Sequence, residues 1–112
     1  MKEIKAYIQV HKLSEVTSAL HGIAGLTGMS VVDCRGYGAG WSSTKDASGS
    51  DTLSYRKGVK IEVCCRDELV DDVVAAIQNA AHTGLKGDGK IYVADIGHAV
   101  RISTGETGES AV

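Results

Sequence analysis

Hydrophobic and polar residues alternate from the start of the chain, where Ile4, Ala6, Ile8 and Val10 are interleaved with Lys5, Tyr7 and Gln9. A period of two marks a strand with one buried face and predicts a strand over residues 3–10. Leu13, Val16, Ala19, Leu20 and Ile23 then recur at helical spacing, with Ser14 as a candidate cap and Gly25 as a stop, so a helix is expected over 13–24. After a turn at 25–28 comes Met29 to Arg35, rich in β-branched residues and closed by Gly36, which reads as a second strand. A third strand follows where Val59, Ile61, Val63 and Cys65 alternate with Lys60, Glu62 and Cys64. From Asp67, a candidate N-cap, the residues Leu69, Val70, Val73, Val74, Ile77, Ala80 and Ala81 trace the apolar face of a second helix that runs through to Gly84. Lys90 to Asp95 is a fourth strand, Val100 to Ser103 a short extended piece, and Thr104 to Glu109 a polar repeat.

Between Tyr37 and Lys57 the periodicity disappears into a run rich in Ser and Gly. A loop of about twenty residues is unusual inside a compact domain unless it has a task, typically as a lid or a partner-binding element. Trp41 stands out in it as a large aromatic that either meets a partner or packs on the body; Trp41 and Tyr55 are the candidate partner contacts.

The order β-α-β, long loop, β-α-β is the split βαβ arrangement, an α+β, ferredoxin-like (βαββαβ) fold with an antiparallel sheet and both helices on one face. No third helix remains to cover the other face. The apolar positions left there predict an oligomer whose sheets meet.

Composition narrows the function classes. At 112 residues, 43% hydrophobic and 23% charged, with a formal net charge of −2, the chain reads as one globular domain, residues 1–112. The twelve basic residues are scattered, so no nucleic-acid partner is expected. No apolar run approaches the roughly 20 residues that span a bilayer, and the charged opening Lys2-Glu3 is no signal sequence, which points to the cytoplasm. Cys34, Cys64 and Cys65 lack C-x-x-C spacing, and the adjacent pair should face opposite sides of a strand, so reduced packing residues are expected. The four histidines lack ligand spacing, and no metal site is expected. With no G-x-S-x-G elbow and no recognisable triad, an enzyme is not expected; the acidic cluster at 67–72 reads as chemistry of a helix start.

Thr83-Gly84-Leu85-Lys86-Gly87-Asp88-Gly89-Lys90 holds three glycines and two lysines between a helix and a strand. It reads either as a plain turn, with Gly84 capping the helix, or as an anion site in which glycines let backbone N–H groups converge. It is not the Walker pattern, which runs from strand to helix. Lys86, Lys90 and Arg101 are expected at the same end of the molecule, as three cations beside the glycines.

This glycine-rich stretch, Val100-Arg101-Ile102 and the repeat Thr104-Gly105-Glu106-Thr107-Gly108-Glu109 together resemble the PII nitrogen-regulatory signal-transduction family. So do His11 to Val16, Thr27-Gly28-Met29, Gly36-Tyr37-Gly38 and Val59 to Glu62. The resemblance implies a cytoplasmic regulatory homotrimer with adenine nucleotides, ATP or ADP and also AMP, in the clefts between subunits. Magnesium is an open accompaniment. The stretch before Ile91 corresponds to the family's B-loop, residues 37–57 to its T-loop and the terminal segment to its C-loop. By position, Gly87, Asp88, Gly89 and Lys90 would hold phosphates from one side and Arg101 from the adjacent subunit. Gly36, Gly38, Glu62 and Cys64 would line the nucleoside on one chain, with Gly28, Met29 and Ser30 supplied by the other. The target implied is a membrane transporter, met through the T-loop.

Departures are concentrated at the loop. Where the family reads Gly-Phe-Gly-Arg-Gln, this chain has Gly36-Tyr37-Gly38-Ala39-Gly40, without the glutamine that helps hold magnesium and 2-oxoglutarate. A usual lysine is Gly58 and the second arginine of R-I-R is Ser103. The expected protein is therefore a paralogue linked to bicarbonate or another solute rather than a 2-oxoglutarate sensor, and no modifiable loop tyrosine is identified. The alternative is a structural or metal-binding trimer resembling the CutA copper-tolerance proteins, and a slow ATPase is a third reading.

Overall fold

The computed structural model describes residues 1–38, 44–45, 51–52 and 55–112. Strand β1 is Lys2–Ile8, followed by a 3-10 turn at Val10–Lys12 and helix α1 at Leu13–His21. Strand β2 is Ser30–Gly36, and two short strands, β3 (Thr44–Lys45) and β4 (Asp51–Thr52), pair only with each other. Strand β5 is Arg56–Cys65, helix α2 is Val70–Ala81, and strand β6 is Gly89–Asp95. The main sheet has the order β2-β5-β1-β6, antiparallel throughout. This is the expected α+β, ferredoxin-like arrangement.

The alternation fixes which face is covered. Ile4, Ala6 and Ile8 of β1 stand opposite Val63, Ile61 and Val59 of β5 in register, and all six are buried. Above them pack Val16 and Leu20 of α1 with Val73, Ile77 and Ala81 of α2, so both helices lie on this face. Burying each large aliphatic side chain contributes about 1.5–3 kcal/mol, and this single cluster supplies the main apolar stabilisation. Cys65 joins it at 2% exposure while Cys64 faces outward, and all three thiols are free.

Several boundaries differ from the sequence reading. Strand β1 ends at Ile8, because Val10 enters the 3-10 turn and is 53% exposed. Helix α1 stops at His21, four residues before Gly25, and its N-cap position is held by Lys12 rather than Ser14. Asp67 does not cap α2 either; its carboxylate takes the Met1 ammonium at 2.8 Å. Helix α2 ends at Ala81 with His82 already extended, so Gly84, at φ +83°, turns the loop rather than capping the helix. Strand β5 begins at Arg56, earlier than its hydrophobic pattern, because pairing of Arg56 with Gly36 is a backbone interaction that needs no apolar side chain. The 37–57 run is thus shortened, and a two-rung ladder lies within it. Val100 contributes one bridge to Thr107 instead of an extended piece, and a turn follows at 102–104.

Among the described residues no helix covers the opposite sheet face. Tyr7 and Tyr92 meet edge to face there, ring centroids 6.1 Å apart, at 39% and 53% exposure. Around them, Lys5 pairs with Glu3 at 3.5 Å and Lys60 with Glu62 at 2.9 Å.

Candidate functional site

Two glycine-containing segments far apart in sequence meet at one end of this face. The end of β2 and the residues after it (Gly36, Tyr37, Gly38) and the residues that lead into and begin β6 (Gly87, Asp88, Gly89, Lys90) line a common open cavity of about 970 Å³. The strand order explains the meeting: β2 ends and β6 begins at the same end of the sheet, where Gly36 pairs with Arg56 and Gly89 pairs with Ile8. Lys5 and Tyr7 form the floor.

The glycines of the loop are required by backbone geometry. Gly84, Gly87 and Gly89 have φ of +83°, +90° and +108°, in the region that side chains disfavour. Gly89 is further constrained because a Cβ there would stand 2.8 Å from the Tyr7 carbonyl carbon and closer still to its oxygen. This close approach lets β6 enter the sheet beside β1.

The Asp88 carboxylate folds back onto its own loop. It accepts the Thr83 N–H at 2.7 Å and a short bond from the Thr83 hydroxyl, which in turn accepts the Leu85 N–H at 3.1 Å. His82 Nδ1 lies 3.6 Å away. These donors, the Thr83 hydroxyl first, hold the Asp88 carboxyl below its ordinary value. From β1, Gln9 donates to the Gly87 carbonyl at 3.0 Å. Among the described residues the N–H groups of Lys86 and Gly87 find no acceptor.

The remaining sequence-predicted residues lie elsewhere in the chain. Ser30 pairs with Glu62 in register, six residues along β5 from the Arg56–Gly36 pair, or roughly 20 Å at about 3.3 Å per residue. Within one chain Glu62 and Cys64 therefore lie near Ser30 and away from Gly36 and Gly38. Met29 packs against the hydrophobic core. Glu62 is held ionised by the hydrogen bond from Lys60, and burial pushes the Cys64 thiol up, so Cys64 offers a neutral sulfur.

Arg101 is also separated from the glycine loop within one chain, contrary to the expectation that it joins Lys86 and Lys90. Strand β6 carries the chain away from the loop, and Arg101 follows the far end of that strand. There its N–H donates to the Glu106 carbonyl at 2.8 Å, and its guanidinium lies 3.9 Å from Glu106 Oε1 and 3.4 Å from the Ser110 carbonyl. Trp41 lies outside the described residues. Tyr55 is 68% exposed and meets Tyr37 edge to face, centroids 6.0 Å apart, at the base of the loop.

Sequence reasoning missed Thr83 and Gln9 as organisers of the glycine loop, because a hydroxyl five residues before a carboxylate forms no established motif. The alternation in β1, however, already placed Lys5 and Tyr7 on the face opposite the core.

An antiparallel four-stranded sheet with both helices on one face defines the class of small α+β proteins with a ferredoxin-like fold. Comparison with known proteins narrows the class: the family model "Nitrogen regulatory protein P-II" matches residues 1–106. The chain is 43% identical to a nitrogen regulatory protein P-II of Azospirillum brasilense and 44% identical to those of Rhodobacter capsulatus and Rhodospirillum rubrum, over the whole of both chains in each case. The chain belongs to the nitrogen regulatory protein P-II family, whose members are regulatory signal-transduction proteins. This membership displaces the CutA-like alternative.

Proposed function

We propose that residues 1–112 act as one unit of a homotrimer that binds ATP or ADP in clefts between subunits and regulates a target protein through residues 37–57. The observation that carries the reading is the meeting of Gly36 and Gly38 with Gly87, Asp88, Gly89 and Lys90 around one cavity. Glycines at positive φ, open N–H groups and a lysine suit phosphate, and the wall left open suits a neighbouring subunit.

The second half of the site comes from that neighbour. Arg101 would reach the phosphates, while Gly28, Met29, Ser30, Glu62 and Cys64 would line the nucleoside. The separation of the two sets within one chain supports this division, since one ligand of nucleotide size can touch both only across an interface. Tyr7 and Tyr92 on the sheet face away from the helices are the apolar groups that assembly would cover.

Signalling to the target follows from position. The phosphate end of the cavity adjoins Gly36, Tyr37 and Gly38, from which the 37–57 segment departs, so ATP and ADP can favour different loop states through different contacts there. Trp41 and Tyr55 are the proposed contacts with the target, a membrane transporter. Among the described residues no helix is long and apolar enough to cross a membrane, so contact with the bilayer would come through the target. Ala39, Gly40, Gly58 and Ser103 support a paralogue answering to bicarbonate or another solute in place of 2-oxoglutarate.

Calorimetric titration with ATP, ADP and AMP, each with and without magnesium, 2-oxoglutarate and bicarbonate, tests the proposal. Binding of ATP or ADP with one site per chain is expected. A folded trimer that binds no adenine nucleotide refutes it.

A further inference from the structure

We infer that Thr83 and Gln9 are positioning residues for the phosphate-binding N–H groups, and that the Asp88 side chain acts as an internal clasp rather than a ligand. The inference rests on the nucleotide reading above and assigns roles within that site.

A carboxylate in a phosphate-binding loop is unfavourable if it faces the ligand, because two anions repel at close range. Here Asp88 is turned away from that conflict. Its two oxygens are occupied by the Thr83 N–H and the Thr83 hydroxyl, and His82 stands 3.6 Å off. The clasp joins residue 83, just past the end of α2, to residue 88, just before β6, and so closes the glycine loop upon itself. With Leu85 N–H bound to the same Thr83 hydroxyl, one side chain fixes both ends of the turn.

Gln9 sets the orientation of the next peptide. In a trans peptide the carbonyl of one residue and the N–H of the following one point in opposite directions. Gln9 draws the Gly87 carbonyl toward the end of β1, so the Asp88 N–H is aimed the other way. The two contacts come from different elements and act on adjoining parts of the loop. Together they hold in advance an arrangement of donors that a loop with three positive-φ glycines would otherwise sample as one state among many.

The test uses the full chain with Thr83→Val, Thr83→Ser and Gln9→Leu, titrated with ADP and with adenosine. Removing a hydrogen bond to a charged group should weaken ADP binding about tenfold or more in Thr83→Val. Adenosine, lacking phosphates, should bind as to the natural chain, and Thr83→Ser should restore ADP affinity. Gln9→Leu should show the same ADP-selective loss to a smaller degree. Hydrogen exchange of the 83–88 amides in the ligand-free protein supplies a second readout, with faster exchange expected in Thr83→Val. Unchanged ADP affinity in both Thr83→Val and Gln9→Leu, or equal losses for ADP and adenosine, overturns the positioning role. Unchanged amide exchange overturns the clasp itself. A natural chain that binds no nucleotide overturns the site assignment, and the exchange result still decides whether the clasp exists.

Discussion

Gly89 lies against Tyr7 so closely that the two backbones leave no room for a side chain: a Cβ would come within 2.8 Å of the Tyr7 carbonyl carbon, at a φ of +108°. The same contact starts β6 beside β1 and shapes the cavity above Tyr7 and Lys90. Gly89→Ala is therefore expected to destabilise the fold by about 2 kcal/mol or more, since it combines strain with a backbone clash. Chemical denaturation of the variant beside the natural chain measures this; equal midpoints would show that the loop relaxes freely.

Lys90 lies at the start of β6 and Arg101 six residues beyond its end, and the proposed site joins the two at the phosphates across an interface. Lys90→Ala and Arg101→Ala should each weaken ADP binding about 10- to 100-fold, as expected for loss of a charged hydrogen bond, while the trimer stays intact. Mixing the two variants gives a sharper outcome. Mixed trimers should recover some full-affinity sites, because one cleft can then combine an intact Lys90 with an intact Arg101. Calorimetry on separate and mixed variants checks both points.

The sheet face away from the helices predicts what holds the subunits together. Tyr92 is 53% exposed and packs edge to face on Tyr7. Tyr92→Asp would place an unpaired carboxylate where subunits meet and should yield monomers at concentrations where the natural chain is trimeric. Light scattering reads the mass directly, and an unchanged mass would place the interface elsewhere.

Acid should open the glycine loop before the core. The Asp88 carboxyl lies below its ordinary value, chiefly because the Thr83 hydroxyl and N–H donate to its ionised form. A depressed carboxyl contributes stability that is fully present above its unfolded value of about 3.9 and is lost as pH falls through the lower folded value. Exchange of the Thr83 amide should accordingly stay slow through weakly acidic pH and accelerate only below about 3.9. In Thr83→Val this acid-dependent loss should be smaller, because the carboxyl has lost the donor that depressed it most.

The periodicities in the sequence were enough to determine the sheet and helices, since alternation in 3–10 and 59–65 and the helical stripe from Leu69 to Ala81 each have one physical solution that buries the apolar side. Where elements end was less legible. Val10 continues the alternation of β1 yet leaves the strand, and Arg56 to Gly58 join β5 without any apolar pattern, because backbone pairing rather than side-chain burial decides both. The glycine loop was legible as a candidate from composition and spacing alone, and the match of residues 1–106 to the P-II family agrees with the motifs around it.

Only the tertiary structure decided which residues share an end of the molecule. Period two assigns a residue to a face but carries no information on strand register. Pairing of Ser30 with Glu62, and of Gly36 with Arg56, separates Glu62 and Cys64 from Gly36 and Gly38, and the length of β6 separates Arg101 from Lys90. The role of Asp88 likewise depended on a fold of the loop that brings Thr83 onto it, a contact set by three glycine torsions that no pattern of hydrophobic residues encodes.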